Sequence, residues 1–160
     1  MPFDVIIRSA RGLAPADLLG KSDPYCKLLW GGGFVPKKSG KQEHVTKYKN
    51  KTLNPVWDPE HDDAHVRLTW PGLAHNPPLE LVIQCWDWDR RGGHDFLGEL
   101  RLTEVEILMA MSECSRNCGH GREFVLKPAL GLGQKYVKQG ATLCVDFVGD
   151  VFSRCRYQQL

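Results

Sequence analysis

Short runs of alternating apolar and polar residues, broken by clusters of glycine, proline and aspartate, set the pattern of this chain. Phe3 to Ser9 reads Phe-Asp-Val-Ile-Ile-Arg-Ser and predicts a first strand. A long loop from Ala10 to Asp23 follows, punctuated by Gly12, Pro15, Gly20 and Ser22-Asp23-Pro24. Further strands are predicted over Tyr25 to Trp30, His44 to Lys49, His65 to Trp70, Leu79 to Trp86, Phe96 to Leu102, Arg122 to Lys127 and Ala141 to Val148. In the third, Val45, Lys47 and Lys49 share one face, with His44, Thr46 and Tyr48 on the other. One helix interrupts the series around residues 103–112. Thr103 and Glu106 have capping-box spacing, and Val105, Ile107, Leu108, Met109 and Met111 continue an apolar segment. Eight strands with turn signals between them predict an all-β fold, an antiparallel β-sandwich over residues 1–150 with a short tail at 151–160.

If successive strands alternate in direction, the first, third and fifth connections emerge at one end of the sandwich. Those connections carry Asp17 and Asp23, then Asn54 to Asp58, then Asp87, Asp89 and Asp95. The lysine-bearing excursion from Gly31 to Gln42 belongs to the opposite end.

The last of these acidic loops is chemically unusual. Trp86-Asp87-Trp88-Asp89-Arg90-Arg91-Gly92-Gly93-His94-Asp95 carries three carboxylates within nine residues, and each ionised carboxylate raises the cost of ionising the next. A hard cation removes that cost, and calcium takes six to eight oxygens from carboxylates and carbonyls. Asp17 and Asp23 could complete such a cage, giving a calcium site shared by two loops. An EF-hand is excluded by spacing. A template begun at Asp87 puts Arg91 at the third ligand and Gly98 where the bidentate Glu belongs. The other reading of the same residues is a solvated acidic turn.

Composition narrows the class. The chain's 160 residues suit one domain with a sizeable core, and 42% hydrophobic and 25% charged residues are ordinary for a globular protein. A net charge of +2 means that partners are inferred from where charge sits. With no leader-like segment and no apolar run near eighteen residues, neither secretion nor membrane spanning is expected. Cys26, Cys85, Cys114, Cys118, Cys144 and Cys155 are accordingly expected to be reduced thiols in the cytoplasm.

Four ordered motifs carry a resemblance: Leu13-Ala14-Pro15-Ala16-Asp17, Gly20-Lys21-Ser22-Asp23-Pro24-Tyr25, Lys51-Thr52-Leu53-Asn54-Pro55-Val56-Trp57, and Trp86-Asp87-Trp88-Asp89 through Asp95-Phe96-Leu97-Gly98-Glu99. Across roughly residues 3 to 148 the chain resembles a C2 domain, the calcium-dependent phospholipid-binding β-sandwich of synaptotagmins and conventional protein kinase C. The resemblance implies a Greek-key sandwich in the family's second, circularly permuted topology. It implies two calcium ions on Asp17, Asp23, Asp87, Asp89 and Asp95, with the backbone carbonyls of Ala16 and Trp88 added. Gly92 stands where some members place a hydroxyl residue, so a third ion is not expected. The connection before the third strand is longer than usual for the family. The implied partner is an anionic phospholipid membrane, containing phosphatidylserine and also phosphoinositides. The implied localisation is cytoplasmic, with peripheral recruitment when calcium rises.

Lys37, Lys38, Lys41, Lys47, Lys49 and Lys51 cluster within fifteen residues. They read either as a solvated loop and a protected edge strand or as part of a lipid site. In the second reading Tyr25, Lys27, Lys47, Lys49 and Trp86 resemble the family's basic groove for phosphoinositide headgroups. Leu18 and Leu19 stand where members insert apolar side chains into the bilayer, an ordinary core role being the alternative. Arg90 and Arg91 either bind lipid phosphates or solvate their turn. His61 and His65 lack the Glu of a zincin, and Cys114, Cys118 and His120 lack a fourth zinc ligand, so both read as structural or surface residues. No catalytic constellation, nucleotide loop or nucleic-acid surface is evident, so a binding module is expected rather than an enzyme. The alternative to a calcium-triggered membrane module is a calcium-independent one that binds a protein or phosphoinositide through the lysine-rich face.

Overall fold

The computed structural model describes residues 2–17, 20–31, 42–70, 79–114 and 121–149. Its eight strands are β1 (Pro2–Arg11), β2 (Pro24–Trp30), β3 (Gln42–Val45), β4 (His65–Thr69), β5 (Glu80–Asp87), β6 (Asp95–Thr103), β7 (Arg122–Val125) and β8 (Thr142–Val148); one helix, α1 (Glu104–Cys114), follows β6. They form two four-stranded sheets in the orders β4-β1-β8-β7 and β3-β2-β5-β6, and every pair is antiparallel. The all-β, eight-stranded sandwich expected from the alternation is the observed fold, with the last strand lying beside the first.

Alternation alone does not carry each strand from end to end. Phe3, Val5 and Ile7 point inward along β1, and then a bulge opposite β8, between Ile7 and Ser9, shifts the phase so that Ala10 is the next buried side chain. A second bulge falls where Cys85 pairs with Gly98 but Trp86 pairs with Phe96, leaving Leu97 as the extra residue. Gly98 meets this bend with φ of 140°, and a Cβ there would come within 2.9 Å of Leu126 Cβ. Between the sheets, Leu28, Leu81, Ile83, Leu100 and Leu102 pack in one core with Val5, Ile7, Leu143, Val145 and Phe147. At the end away from the acidic loops, Phe3 stacks on Trp70 with centroids 4.8 Å apart, and Trp30 meets both rings edge-on.

Two expectations change. The third strand ends at Val45 rather than Lys49. Past it the backbone finds several different partners: Thr46 N–H donates to Cys26 O, Lys47 N–H to Asp62 O, and Lys49 N–H to Pro24 O. Strand β7 stops at Val125 because the chain then leaves its sheet, and Lys127 exchanges backbone hydrogen bonds with Glu99 on β6 (2.8 and 2.9 Å). Lys37, Lys38 and Lys41 lie outside the described residues.

The helix begins as the spacing predicts. Glu106 accepts hydrogen bonds from the Thr103 amide (2.8 Å) and hydroxyl (2.7 Å), and the Thr103 hydroxyl in turn accepts from Glu106 N–H (3.4 Å). These bonds to Thr103 hold the Glu106 carboxyl below its usual pKa. Ile107, Ala110 and Met111 form the buried stripe, facing β6 and β8. Thr103→Ala is therefore expected to destabilise the domain by about 0.5–2 kcal/mol. Urea unfolding measures this, and an unchanged midpoint would show that the cap contributes nothing.

Candidate functional site

Strand pairing brings the acidic residues together. Pro24 opens β2 directly opposite Asp87 at the end of β5, and Asp87 in turn pairs with Asp95 at the start of β6. Asp23 therefore leaves one strand beside the carboxylate that ends its neighbour. Asp23 N–H donates to Asp87 Oδ1 (2.5 Å), and Trp88 N–H donates to Asp23 O (3.0 Å). The first connection is held from beneath by Ser22. This fully buried hydroxyl donates to Ala14 O and accepts from Ala16 N–H. The third connection joins through Thr52 N–H to Ser22 O and Lys51 N–H to Asp23 Oδ1 (2.6 Å). Lys51 presents that amide from a left-handed conformation, φ 50°, which non-glycine residues seldom adopt.

Ala16, Asp17, Lys21, Lys51, Asp87, Asp89 and Asp95 line one open cavity of about 660 Å³. Asp87 is only 4% exposed, and burial first of all raises its pKa to about 6. The charges of Asp17, Asp23 and Asp95 push in the same direction, against the lowering effect of the Asp23 amide. An ionised Asp87 is thus held at a cost that a divalent cation would relieve. The donors are all oxygens, which suits calcium. As the side chains stand, no group of three or more His, Cys, Asp or Glu among the described residues is gathered closely enough to hold a metal ion. Asp23, Asp87 and Asp89 each give one oxygen to a backbone amide, the last to Arg91 N–H at 2.8 Å, and Lys21 and Lys51 also line the cavity. Lys21 stands between Asp17 and Asp23 in the sequence, whereas Lys51 joins the acidic cluster only through the pairing of the loops.

A second depression, of about 700 Å³, is lined by Tyr25, Lys27, Glu43, Val45, Thr46, Lys47, Tyr48, Trp88 and His94. Its lysines are not equivalent. Lys27 Nζ lies 4.9 Å from the Trp86 ring centroid and 5.9 Å from that of Tyr25. Lys47 Nζ donates to His61 O, and Lys49 pairs with Asp62 outside the groove. Tyr48 stacks on Trp88 with centroids 4.5 Å apart and planes 5° from parallel, so aromatic faces contribute as much to the lining as charge. Burial and then Glu43 push the Tyr25 hydroxyl up to about 12. Arg90 and Arg91 are exposed on the fifth connection. Leu18 and Leu19 lie outside the described residues, as do Cys118 and His120. His61 and His65 are held by different carboxylates, Asp58 and Asp4. The first of these contacts raises the pKa of His61.

The architecture and its acidic loop end define a β-sandwich binding module. A family model described as C2 domain matches residues 3–115, and the chain belongs to that family. The matched stretch ends just after α1, while β7 and β8 complete the sandwich beyond it. The chain is 38% identical over 95 residues to synaptotagmin-3 of Arabidopsis thaliana, covering 59% of this chain and 15% of that protein. It is 32% identical over 103 residues to the eye isozyme of protein kinase C from Drosophila melanogaster, covering 64% of this chain and 13% of the relative. The chain thus spans a small fraction of each relative's length. In fold it is similar to a C2 domain of plant extended synaptotagmin 1, with a TM-score of 0.58 at 20% identity and 92% of both chains covered. No described helix is long and apolar enough to cross a membrane.

Asp87→Asn keeps an acceptor for the Asp23 amide and removes the repelled charge. In chelator at neutral pH, above the raised pKa, it is expected to stabilise the domain by about 1–2 kcal/mol. A melting temperature at or below that of the parent would show that burial and the neighbouring carboxylates put no cost on an ionised Asp87.

Proposed function

We propose that this chain is a calcium-responsive module that docks on anionic phospholipid membranes through its acidic loop end. The observation that carries this reading is the convergence of Asp17, Asp87, Asp89 and Asp95 on one cavity, with Asp23 hydrogen-bonded to its edge. In this reading the five aspartates, with the carbonyls of Ala16 and Trp88, hold two calcium ions. The ions would supply positive charge where the carboxylates otherwise repel anionic lipid, together with coordination positions for lipid phosphate. The chain's own part is to hold the carboxylates in place: Asp87 by burial, Asp23 by the Lys51 amide, and the first loop by Ser22. Leu18 and Leu19 supply apolar insertion, and the exposed Arg90 and Arg91 meet headgroup phosphates. Residues 1–150 act as the functional unit, cytoplasmic and recruited peripherally when calcium rises.

The separate groove supports a second, calcium-independent contribution, in which Tyr25, Lys27, Lys47 and Trp86 receive a phosphoinositide headgroup or a protein partner. Lys49 contributes only if it leaves Asp62.

Calcium is expected to raise the melting temperature, and Asp87→Asn/Asp89→Asn to abolish that shift while magnesium does far less. No shift at millimolar calcium, or an undiminished shift in the variant, would remove the calcium site. In liposome cosedimentation, Leu18→Ser/Leu19→Ser should weaken binding by roughly five-fold to more than a hundred-fold per inserted leucine while leaving the lipid-free calcium shift intact. Unchanged lipid binding would mean that these residues never insert. Lys27→Ala should weaken binding to phosphoinositide-containing vesicles more than to phosphatidylserine vesicles, and equal losses would leave only generic attraction.

A further inference from the structure

The strand order brings a fourth loop to the acidic end. Thr142 pairs both with Val125, the last residue of β7, and with Arg11, which leads into the first acidic connection. Residues 126–141 therefore leave and re-enter the sandwich at the same end as Asp17, Asp23, Asp87, Asp89 and Asp95. This loop is ordered by three successive turns. Leu132 N–H donates to Ala129 O (3.3 Å), Val137 N–H to Gln134 O (3.1 Å) and Ala141 N–H to Lys138 O (3.2 Å). Gly131 and Gly140, with φ of 79° and 82°, take the third positions of the first and last turns, where a left-handed residue is needed. Tyr136 is partly buried against the core and anchors the middle.

We propose that this seventh connection is an additional membrane-contact element, with Leu130 entering the apolar layer and Lys135 and Lys138 meeting anionic headgroups. The inference rests on the membrane-docking reading above and extends it to residues that reading does not use. A lone exposed leucine is unremarkable on a protein surface. Leu130 differs in its setting: it stands at the corner of a hydrogen-bonded turn and is the most exposed large apolar side chain among the described residues. The segment 126–141 contains Lys127, Lys135 and Lys138 and no acidic residue, so its charge complements an anionic bilayer. Lys135 stands over the aromatic ring beside it. Its Nζ lies 4.7 Å from the Tyr136 ring centroid, and Tyr136 first, then Asp95, holds its pKa above the ordinary lysine value.

The test is calcium-dependent cosedimentation of the full chain with vesicles of phosphatidylcholine and phosphatidylserine. Leu130→Ser should weaken binding about ten-fold or more. Lys135→Ala/Lys138→Ala should weaken it by about five-fold per lysine, an effect that shrinks with added salt. Val105→Ser, which alters an exposed valine on α1 in the sixth connection, at the end away from the carboxylates, should change nothing. The lipid-free calcium shift in melting temperature should survive in Leu130→Ser. Parent protein that fails to sediment with calcium overturns both this inference and the membrane reading. A binding parent with an unaffected Leu130→Ser, equal losses in Leu130→Ser and Val105→Ser, or a lost calcium shift in Leu130→Ser overturns the inference alone.

Discussion

The structure turns on one crowded carboxylate. Asp87 ends β5 almost completely buried, facing the charges of Asp17, Asp23 and Asp95 with a single amide hydrogen bond in compensation. Burying an uncompensated charge is costly, so a fold that does so must over-determine the surroundings. It does: the β2–β5 register puts Pro24 opposite Asp87, Ser22 bridges Ala14 and Ala16, and Lys51 turns its backbone into the left-handed region to reach Asp23. These contacts brace the acidic loops and tie them to one another, and none contributes to the hydrophobic core.

The core provides the rigidity that makes such a loop end possible. Two bulges, at Ile7/Ser9 and beside Gly98, bend the strands that frame the sandwich, and the crossing of residues 126–127 from β7 to β6 ties the two sheets at one side. The aromatic cluster of Phe3, Trp30 and Trp70 closes the opposite end. Apolar burial runs the length of the sandwich, and Leu13, Cys85 and Leu97 carry it up to the carboxylates themselves.

The lysine-bearing surface is less uniform than its charge. Lys27 is spread over aromatic rings, while Lys47 and Lys49 are engaged by the segment around His61 and Asp62. That segment is itself pinned by Trp57, whose indole N–H donates to Lys47 O and whose ring is buried. What remains is a groove with aromatic walls and a few charges.

Much of this is legible in the sequence, because strand alternation, turn residues and a capping box are local signals. Val5, Ile7, Leu143 and Val145 announce an inward face by their period, and Thr103 with Glu106 announces a helix start. Strand parity is enough to predict that the loops carrying Asp17, Asp23, Asp87, Asp89 and Asp95 share an end. The end of β3 at Val45 is not legible, since Lys47 and Lys49 alternate as a strand should and only their backbone partners on Asp62 and Pro24 break it. Nor is all of the company that the carboxylates keep. Lys51 is far in sequence from the acidic loops and meets their cavity only because its loop is hydrogen-bonded to Ser22 and Asp23. Local sequence determines which elements form and which end they favour. Pairing over long separations decides which charges are buried together, because that depends on register and packing that no single segment encodes.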